Sequence, residues 1–192
     1  DLKDVKVLVT RPEHQNQKLC DLVRTHGGEP VVFPLIKIEP TYAHDPLLTV
    51  LTGINDIDIA IFVSTNAVTH GLGALRSQGQ TLSELTQVFA VGATTALMLQ
   101  AAGIRVDGVP LGLSGANGLR ALPTFRNVSN RRVVVFRGNG GEPSLLEWLK
   151  HEGASVFVAE TYRRVMPIAI NPAVVELCQQ ATIDVITLTS VT

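Results

Sequence analysis

The chain has 192 residues, of which 45% are hydrophobic and 17% charged, and its mean hydropathy of +0.25 excludes an intrinsically disordered protein. Its 16 lysines and arginines against 17 aspartates and glutamates give a net charge of -1, so it lacks the overall cationic field of a non-specific nucleic-acid binder. Cys20 and Cys178 form no CxxC pair, which argues against a disulfide framework and a thiolate zinc site.

The first residues and the apolar runs indicate where the protein resides. Residues 1–6 alternate charged and apolar side chains, unlike the apolar core of an export signal. No apolar run approaches the roughly 18 residues that a membrane helix needs. We therefore expect a cytoplasmic protein that binds neither membranes nor nucleic acid. No long apolar stripe demands a partner subunit, so we also expect a monomer.

Short β-branched runs alternate with amphipathic stretches along the chain, which predicts an α/β fold. The predicted strands are residues 5–10, 31–38, 59–64, 88–91, 104–109, 132–137, 155–162 and 185–189. The predicted helices are residues 13–26, 66–78, 94–102, 115–122, 144–152 and 173–181. Most strands are apolar without alternation, as expected for parallel sheets that helices cover on both faces.

Two extended segments of mixed polarity, residues 36–42 and 162–167, interrupt this alternation. We expect them to connect two lobes, each a parallel sheet flanked by helices, through a two-stranded β-ladder that acts as a hinge. Residues 1–37 plus 167–192 would form a discontinuous first lobe, and residues 38–166 the second. Because no helix follows the last predicted strand, we expect the first lobe to be incomplete at its C-terminal side.

At five places a strand end leads into a loop of small polar residues: Thr10–Pro12, Ser64–Ala67, Gly92–Thr95, Arg137–Gly141 and Thr189–Ser190. In a parallel sheet such loops lie at the carboxyl ends of the strands, where free backbone N–H groups and helix dipoles favour anionic ligands. Helix capping explains any one of these loops equally well. Five of them on one face favour a binding site for carboxylates.

Other motifs are incomplete. The glycine run at residues 137–141 lacks both the GxGxxG spacing and the Lys-Ser/Thr ending of a phosphate loop, and residues 112–116 form only a partial nucleophile elbow. The five histidines show no metal-ligand spacing, and we interpret each as solvated. We predict no metal and no other cofactor.

The chain has two tyrosines, and both fall in the extended segments. Tyr162 is followed by Arg163 and Arg164, so a phenol that can donate a proton would lie near positive charge. A tyrosine that packs its ring and hydrogen-bonds its hydroxyl explains the position equally well.

Five motifs, in this order and spacing, resemble the uroporphyrinogen-III synthase family: VLVTRP at 7–12, FVSTNAV at 62–68, AVG at 90–92 with Thr95, RGNGG at 137–141 and YRR at 162–164. The resemblance implies two α/β lobes joined by a two-stranded ladder. It also implies a cyclising lyase without a cofactor. Its substrate would be hydroxymethylbilane, which loses water, closes and inverts its last ring to give uroporphyrinogen III.

The resemblance also implies roles for individual residues. Tyr162 would assist departure of the hydroxyl group as a general acid. The substrate-binding residues would be Arg11, Ser64, Asn66, Thr95, Arg137, Gly138, Thr189 and Ser190. The substrate would be handed over transiently by the upstream hydroxymethylbilane synthase. Glu142 departs from this picture, because a basic residue would suit a polyanionic ligand better.

Two other classes of protein compete with this interpretation. A non-catalytic two-lobed protein that closes on an anionic metabolite would use the same helix termini. A nucleotide-dependent doubly wound enzyme would need a complete glycine fingerprint and an acidic residue for the ribose, and the sequence contains neither.

Overall fold

The computed structural model describes residues 1–42, 45–110, 112, 115–125, 127–167 and 171–188. The chain divides into two compact units: unit 1 is Asp1–Glu39 with Arg164–Thr192, and unit 2 is Pro40–Arg163. Among the described residues, no helix is long and apolar enough to cross a membrane.

Unit 1 contains a three-stranded parallel sheet with β1 (Lys6–Val9) at its centre, between β2 (Glu29–Val32) and β8 (Val185–Thr187). Helix α1 (Glu13–Thr25) connects β1 to β2, and α7 (Pro172–Gln179) precedes β8. Side chains alternate along β1, so each face of the sheet meets one helix.

The core of unit 1 follows from that alternation. Val7 and Val9 of β1 pack with Cys20 and Val23 of α1. On the other face, Leu8 packs with Val31 and with Val174 of α7.

The second sheet has five strands in the order β3-β7-β6-β4-β5, of which β4, β5 and β6 lie entirely in unit 2. The strands are β3 (Lys37–Pro40), β4 (Ile59–Phe62), β5 (Gln87–Ala90), β6 (Arg132–Gly138) and β7 (Ser155–Val165). The pairs β4–β5, β4–β6 and β6–β7 are parallel. The α/β fold class with parallel sheets flanked by helices is confirmed.

The helices of unit 2 are α2 (Asp45–Thr52), α3 (Thr65–Ser77), α4 (Ala93–Ala101), α5 (Gly115–Ala121) and α6 (Ser144–His151). Short 3-10 turns lie at Ile54–Asp56 and Pro123–Phe125. On one face of the sheet, a buried cluster joins β4, β5 and β6 to α5 and α6: Ile59, Ile61, Phe89, Leu119, Phe125, Val128, Val133, Val135, Leu145 and Leu149.

Helix α3 packs closely over aromatic side chains of the sheet. Phe62 and Phe136 stack with ring centroids 4.5 Å apart. A Cβ atom at Gly71 would lie 2.9 Å from Cδ1 of Phe136 and 3.1 Å from Cε1 of Phe62. Gly71 therefore allows α3 to approach the stacked rings, although glycine in a helix interior costs about 1 kcal/mol relative to alanine.

Two predicted strands are wrong in detail. The strand predicted at 31–38 is two short strands, β2 and β3, which belong to different sheets. Residues 104–109 form only an isolated bridge between Gly108 and Phe89. The Asp107 carboxylate accepts the Val88 N–H at 2.8 Å and takes the place of a backbone carbonyl there. Helix α2 was not predicted.

Candidate active site at the carboxyl edge of the unit 2 sheet

Three neighbouring strands of unit 2, β6, β4 and β5, end at one edge of the sheet, and β7 passes this edge at Tyr162. Tyr162 of β7 lies opposite Gly138 of β6, with a register shift between Arg137 and Gly138. Next to β6, β4 leads into Ser64, and beyond it β5 leads into Gly92. Because the strands are parallel, the loops that follow them meet at the same edge, where open α/β sheets bind ligands.

Tyr162 is fully buried, and its hydroxyl lies 3.0 Å from Oγ of Ser64, with either atom able to donate. A buried phenol of this kind needs a hydrogen-bond partner. A tyrosine with a purely structural role, which packs its ring and hydrogen-bonds its hydroxyl, would make the same contacts. The catalytic role of Tyr162 stays a prediction.

Ser64 is the N-cap of α3. Its backbone is extended, with φ -164° and ψ 168°, and its Oγ accepts the N–H of Ala67 at 3.1 Å. A serine hydroxyl has one proton and two lone pairs. One lone pair is used by the cap, so the remaining lone pair and the proton are available for the contact with Tyr162 and for one more hydrogen bond.

The exposure of the two hydroxyl groups differs. Ser64 is partly exposed, whereas Tyr162 is 0% exposed. A ligand at this edge therefore meets Ser64 before it meets Tyr162. If Tyr162 donates to Ser64, Ser64 can in turn donate its own proton outward.

Gly138 makes room for the ring of Tyr162. It is buried, and a Cβ atom there would lie 2.6 Å from Cζ of Tyr162. Any side chain at this position would displace the tyrosine. Packing against Tyr162 is the role of Gly138 that the structure shows, and its predicted contact with a ligand stays a prediction.

Helix α4 begins after Gly92. Within the described part of the chain, no side chain caps this terminus, and the first backbone bond of the helix runs from the Ala96 N–H to the Gly92 carbonyl at 3.0 Å. Thr95, in the first turn, is 5% exposed. The free N–H groups and the helix dipole favour a negative charge here.

The side chain of Arg137 stabilises the loop that follows β6. Nε of Arg137 donates to the Gly138 carbonyl at 3.3 Å, and Nη2 donates to the Gly140 carbonyl. A guanidinium carries five N–H donors, so donors remain after both contacts. Binding of a ligand by Arg137 stays a prediction.

Glu142 supports the start of α6. Its carboxylate accepts the N–H of Ser144 at 2.8 Å and the hydroxyl of the same residue. These hydrogen bonds, with smaller contributions from Arg120 and Arg137, lower the pKa of Glu142 below its ordinary value. The carboxylate is therefore part of the local structure of this loop.

The other predicted site residues lie in different places. Asn66 is in the first turn of α3 and is half-buried. Arg11 belongs to unit 1, where it follows β1. Thr189 and Ser190 lie outside the described residues.

Sequence reasoning missed His70 and Tyr42. His70 of α3 is half-buried, and its ring centroid lies 5.6 Å from that of Tyr162. The hydroxyl of Tyr42 lies 3.3 Å from Nδ1 of His70. The sequence did contain a signal for the burial of His70, because this residue lies between Ala67 and Ala74 at the spacing of one helix face, and both alanines are buried.

The interpretation of every histidine as solvated is therefore wrong for His70. It holds for His14, His26 and His151, which are exposed. His44 lies outside the described residues. Among the described residues, no three His, Cys, Asp or Glu side chains are grouped so that they could hold a metal ion.

The model of the family described as uroporphyrinogen-III synthase HemD matches residues 17–192. The chain belongs to the uroporphyrinogen-III synthase family. Of the five motifs that resemble this family, the first lies in unit 1, the next three lie at the ends of β4, β5 and β6, and the fifth lies within β7. The predicted resemblance is confirmed.

Individual relatives agree with this assignment. The uroporphyrinogen-III synthase of Escherichia coli is 31% identical over 160 residues, and that of Salmonella typhimurium is 30% identical over 160 residues. Each match covers 83% of this chain and 65% of the relative, so the chain spans about two thirds of the length of these synthases.

A crystal structure of a mutant uroporphyrinogen III synthase from Thermus thermophilus has the same fold. The TM-score is 0.66 at 19% identity, and the match covers 95% of this chain and 71% of that one.

Proposed function

We propose that this chain has uroporphyrinogen-III synthase activity. It would convert hydroxymethylbilane into uroporphyrinogen III and one water molecule, with closure of the macrocycle and inversion of the last ring. Family membership supports the reaction class. The observation that carries the proposal at atomic level is the hydrogen bond between Tyr162 and Ser64 at the carboxyl edge of the sheet.

The proposed reaction requires the protein to supply a proton and to hold the substrate in the correct geometry. The substrate is electron-rich, so its hydroxyl can leave unaided, but spontaneous closure gives the uninverted isomer. The enzyme must therefore hold the linear tetrapyrrole bent toward the spiro arrangement that inversion requires. This requirement agrees with a site built from hydroxyl groups and helix termini.

We propose that the proton of Tyr162 reaches the leaving hydroxyl through Ser64. As the C–O bond breaks, Ser64 donates its proton to the departing oxygen and accepts the proton of Tyr162, and water leaves. Ring closure releases one proton from the attacked pyrrole carbon, and this proton restores the phenol by the same path. The phenol is a weak acid near neutral pH, so its role is assistance.

The acetate and propionate groups of the substrate would occupy the rest of the edge. The unoccupied N–H groups at the start of α4, next to Thr95, can hold one carboxylate. Asn66 and the remaining donors of Arg137 can hold others. Arg11, Thr189 and Ser190 complete the set of substrate-binding residues that the family resemblance implies. We propose that units 1 and 2 correspond to the two predicted lobes.

The instability of the substrate favours its direct transfer between enzymes. Because free hydroxymethylbilane closes to the wrong isomer, transient handover from the upstream synthase would limit that loss. We place both enzymes in the cytoplasm in this proposal.

The test is to incubate the purified 192-residue chain with freshly made hydroxymethylbilane, oxidise the products and separate the uroporphyrin isomers by chromatography. A sample without protein measures spontaneous closure. The proposal predicts an excess of isomer III. Isomer I alone, at the rate of the protein-free sample, would contradict it, and tight binding of the bilane with that result would favour a non-catalytic binding protein.

A further inference from the structure

The ring of Tyr162 has an aromatic neighbour that the proposed reaction does not use. His70 projects from α3, six residues after Ser64, and its ring is tilted by 37° against that of Tyr162 at a centroid distance of 5.6 Å. One helix thus supplies both the partner of the Tyr162 hydroxyl and a contact to its ring.

His70 is in turn held by Tyr42. The two rings lie 6.2 Å apart, and the Tyr42 hydroxyl is 3.3 Å from Nδ1 of His70. Burial raises the pKa of Tyr42 above its ordinary value, although Arg76 partly opposes the effect. The phenol therefore keeps its proton at neutral pH and can donate it to Nδ1.

Tyr42 is attached to the strand that carries Tyr162. Its neighbour Thr41 donates its N–H to the Thr161 carbonyl at 3.1 Å and its hydroxyl to the Glu160 carbonyl. The contacts of Tyr42 and Tyr162 with His70 therefore start from adjacent backbone segments.

Gly73 makes this arrangement possible. It lies three residues after His70 on α3, and a Cβ atom there would be 3.0 Å from Cζ of Tyr42 and closer still to its hydroxyl. Glycine weakens a helix interior relative to alanine, and here the missing side chain leaves room for Tyr42.

We propose that His70, held by Tyr42, is a positioning residue for Tyr162, an inference that rests on the function proposed above. The proton path needs the Tyr162 hydroxyl aligned with Ser64. The Tyr162 ring is held at its hydroxyl by Ser64 and packs against the backbone of Gly138, and the His70 ring, tilted by 37° against it, sets its orientation from the side of α3. A misplacement of about 1 Å in a catalytic group can cost about 100-fold in rate.

The kinetic test uses variants that remove successive parts of this arrangement. We expect His70→Ala to lower kcat about tenfold and to leave KM within about twofold, because the substrate contacts are elsewhere. His70→Phe, which keeps a ring against Tyr162, should recover part of the loss. Tyr42→Phe and Gly73→Ala should lower kcat less than His70→Ala. His151→Ala, at an exposed histidine, is the matched control and should not change kcat.

A double variant separates positioning from general destabilisation. If His70 acts through Tyr162, the pair His70→Ala with Tyr162→Phe should be about as slow as Tyr162→Phe alone. If the fold-loss of kcat in the double variant equals the product of the losses in the two single variants, the proposal is overturned.

A second readout does not depend on turnover. The chain has only two tyrosines, so ring-labelled tyrosine gives two sets of NMR signals, which Tyr42→Phe and Tyr162→Phe assign. His70→Ala should shift the signals of both tyrosines, because each loses a neighbouring ring, whereas His151→Ala should shift neither.

The outcomes distinguish the two proposals. Unmoved Tyr162 signals in His70→Ala, or an unchanged kcat, would overturn the role of His70 alone. An unmodified chain that forms no excess of isomer III would overturn the proposed function and the kinetic role of His70 together.

Discussion

The hydroxyl of Tyr162 lies 3.0 Å from Oγ of Ser64, a residue 98 positions earlier in the chain. The same Oγ caps α3 by accepting the N–H of Ala67. One serine therefore stabilises the start of a helix and satisfies a fully buried phenol, so a change at this position affects both.

Ser64→Ala tests this double role. Loss of the cap costs about 1 kcal/mol, and loss of the hydrogen bond to the buried Tyr162 hydroxyl costs about 0.5–1.5 kcal/mol more. We expect the free energy of unfolding, measured in denaturant by circular dichroism, to fall by about 2 kcal/mol.

The matched control is Asn171→Ala. Asn171 caps α7 by accepting the N–H of Ala173 at 3.1 Å, and its loss removes a cap alone. An equal loss of stability in the two variants would show that the contact with Tyr162 contributes nothing.

Gly138→Ala tests the packing of the Tyr162 ring. A Cβ atom there would overlap the ring, so we expect the free energy of unfolding to fall by about 1–3 kcal/mol and the rate of isomer III formation to fall as well. Gly53→Ala is the control, since its Cβ would meet atoms only at 3.7 Å or beyond. Equal stability of the two variants would contradict this account of Gly138.

The two glycines inside α3 should respond differently to alanine. At Gly71 the new methyl group meets Phe62 and Phe136 in the sheet, so overpacking of about 1–3 kcal/mol should outweigh the helix-propensity gain of about 1 kcal/mol. At Gly73 it meets the end of one side chain, Tyr42, which can move aside. Thermal unfolding should therefore show a lower Tm for Gly71→Ala and an unchanged or higher Tm for Gly73→Ala; the reverse order would contradict the packing described for α3.

Glu142 should contribute to the pH dependence of stability. Its folded-state pKa is lowered, chiefly by the two hydrogen bonds from Ser144, so it stabilises the fold above the ordinary glutamate pKa of about 4.3. That contribution is lost as pH falls from this value through the lower folded-state pKa. Glu142→Gln should therefore flatten the acid limb of a plot of unfolding free energy against pH. Glu84→Gln, at an exposed position, makes the same charge change as a control; an identical acid limb in both variants would contradict the role of Glu142.

Much of the fold could be predicted because it depends on local sequence. Helices α1, α3, α4 and α6 each end one residue before their predicted ends, since each is followed by a glycine with positive φ: Gly27, Gly79, Gly103 and Gly153. The apolar runs that became β4 and β6 lie where β-branched composition placed them. The confirmed fold class follows from this alternation.

The candidate site was less accessible to prediction. Ser64 and Tyr162 were both named from the sequence, but the bond between them depends on the order of strands in the sheet, which no local pattern encodes. His70 contacts Tyr42, which is 28 positions away in the sequence, and Tyr162, which is 92 positions away. Gly138 was predicted to contact a ligand, and only the register of β6 against β7 reveals that it makes room for a ring.

The central claim is that Tyr162 assists formation of isomer III through Ser64. The most direct measurement is the initial rate of isomer III formation by the unmodified chain and by Tyr162→Phe, with unfolding curves to confirm equal folding. We predict an excess of isomer III from the unmodified chain and a rate about 100-fold lower, but not zero, from Tyr162→Phe. An unchanged rate in Tyr162→Phe would contradict the claim.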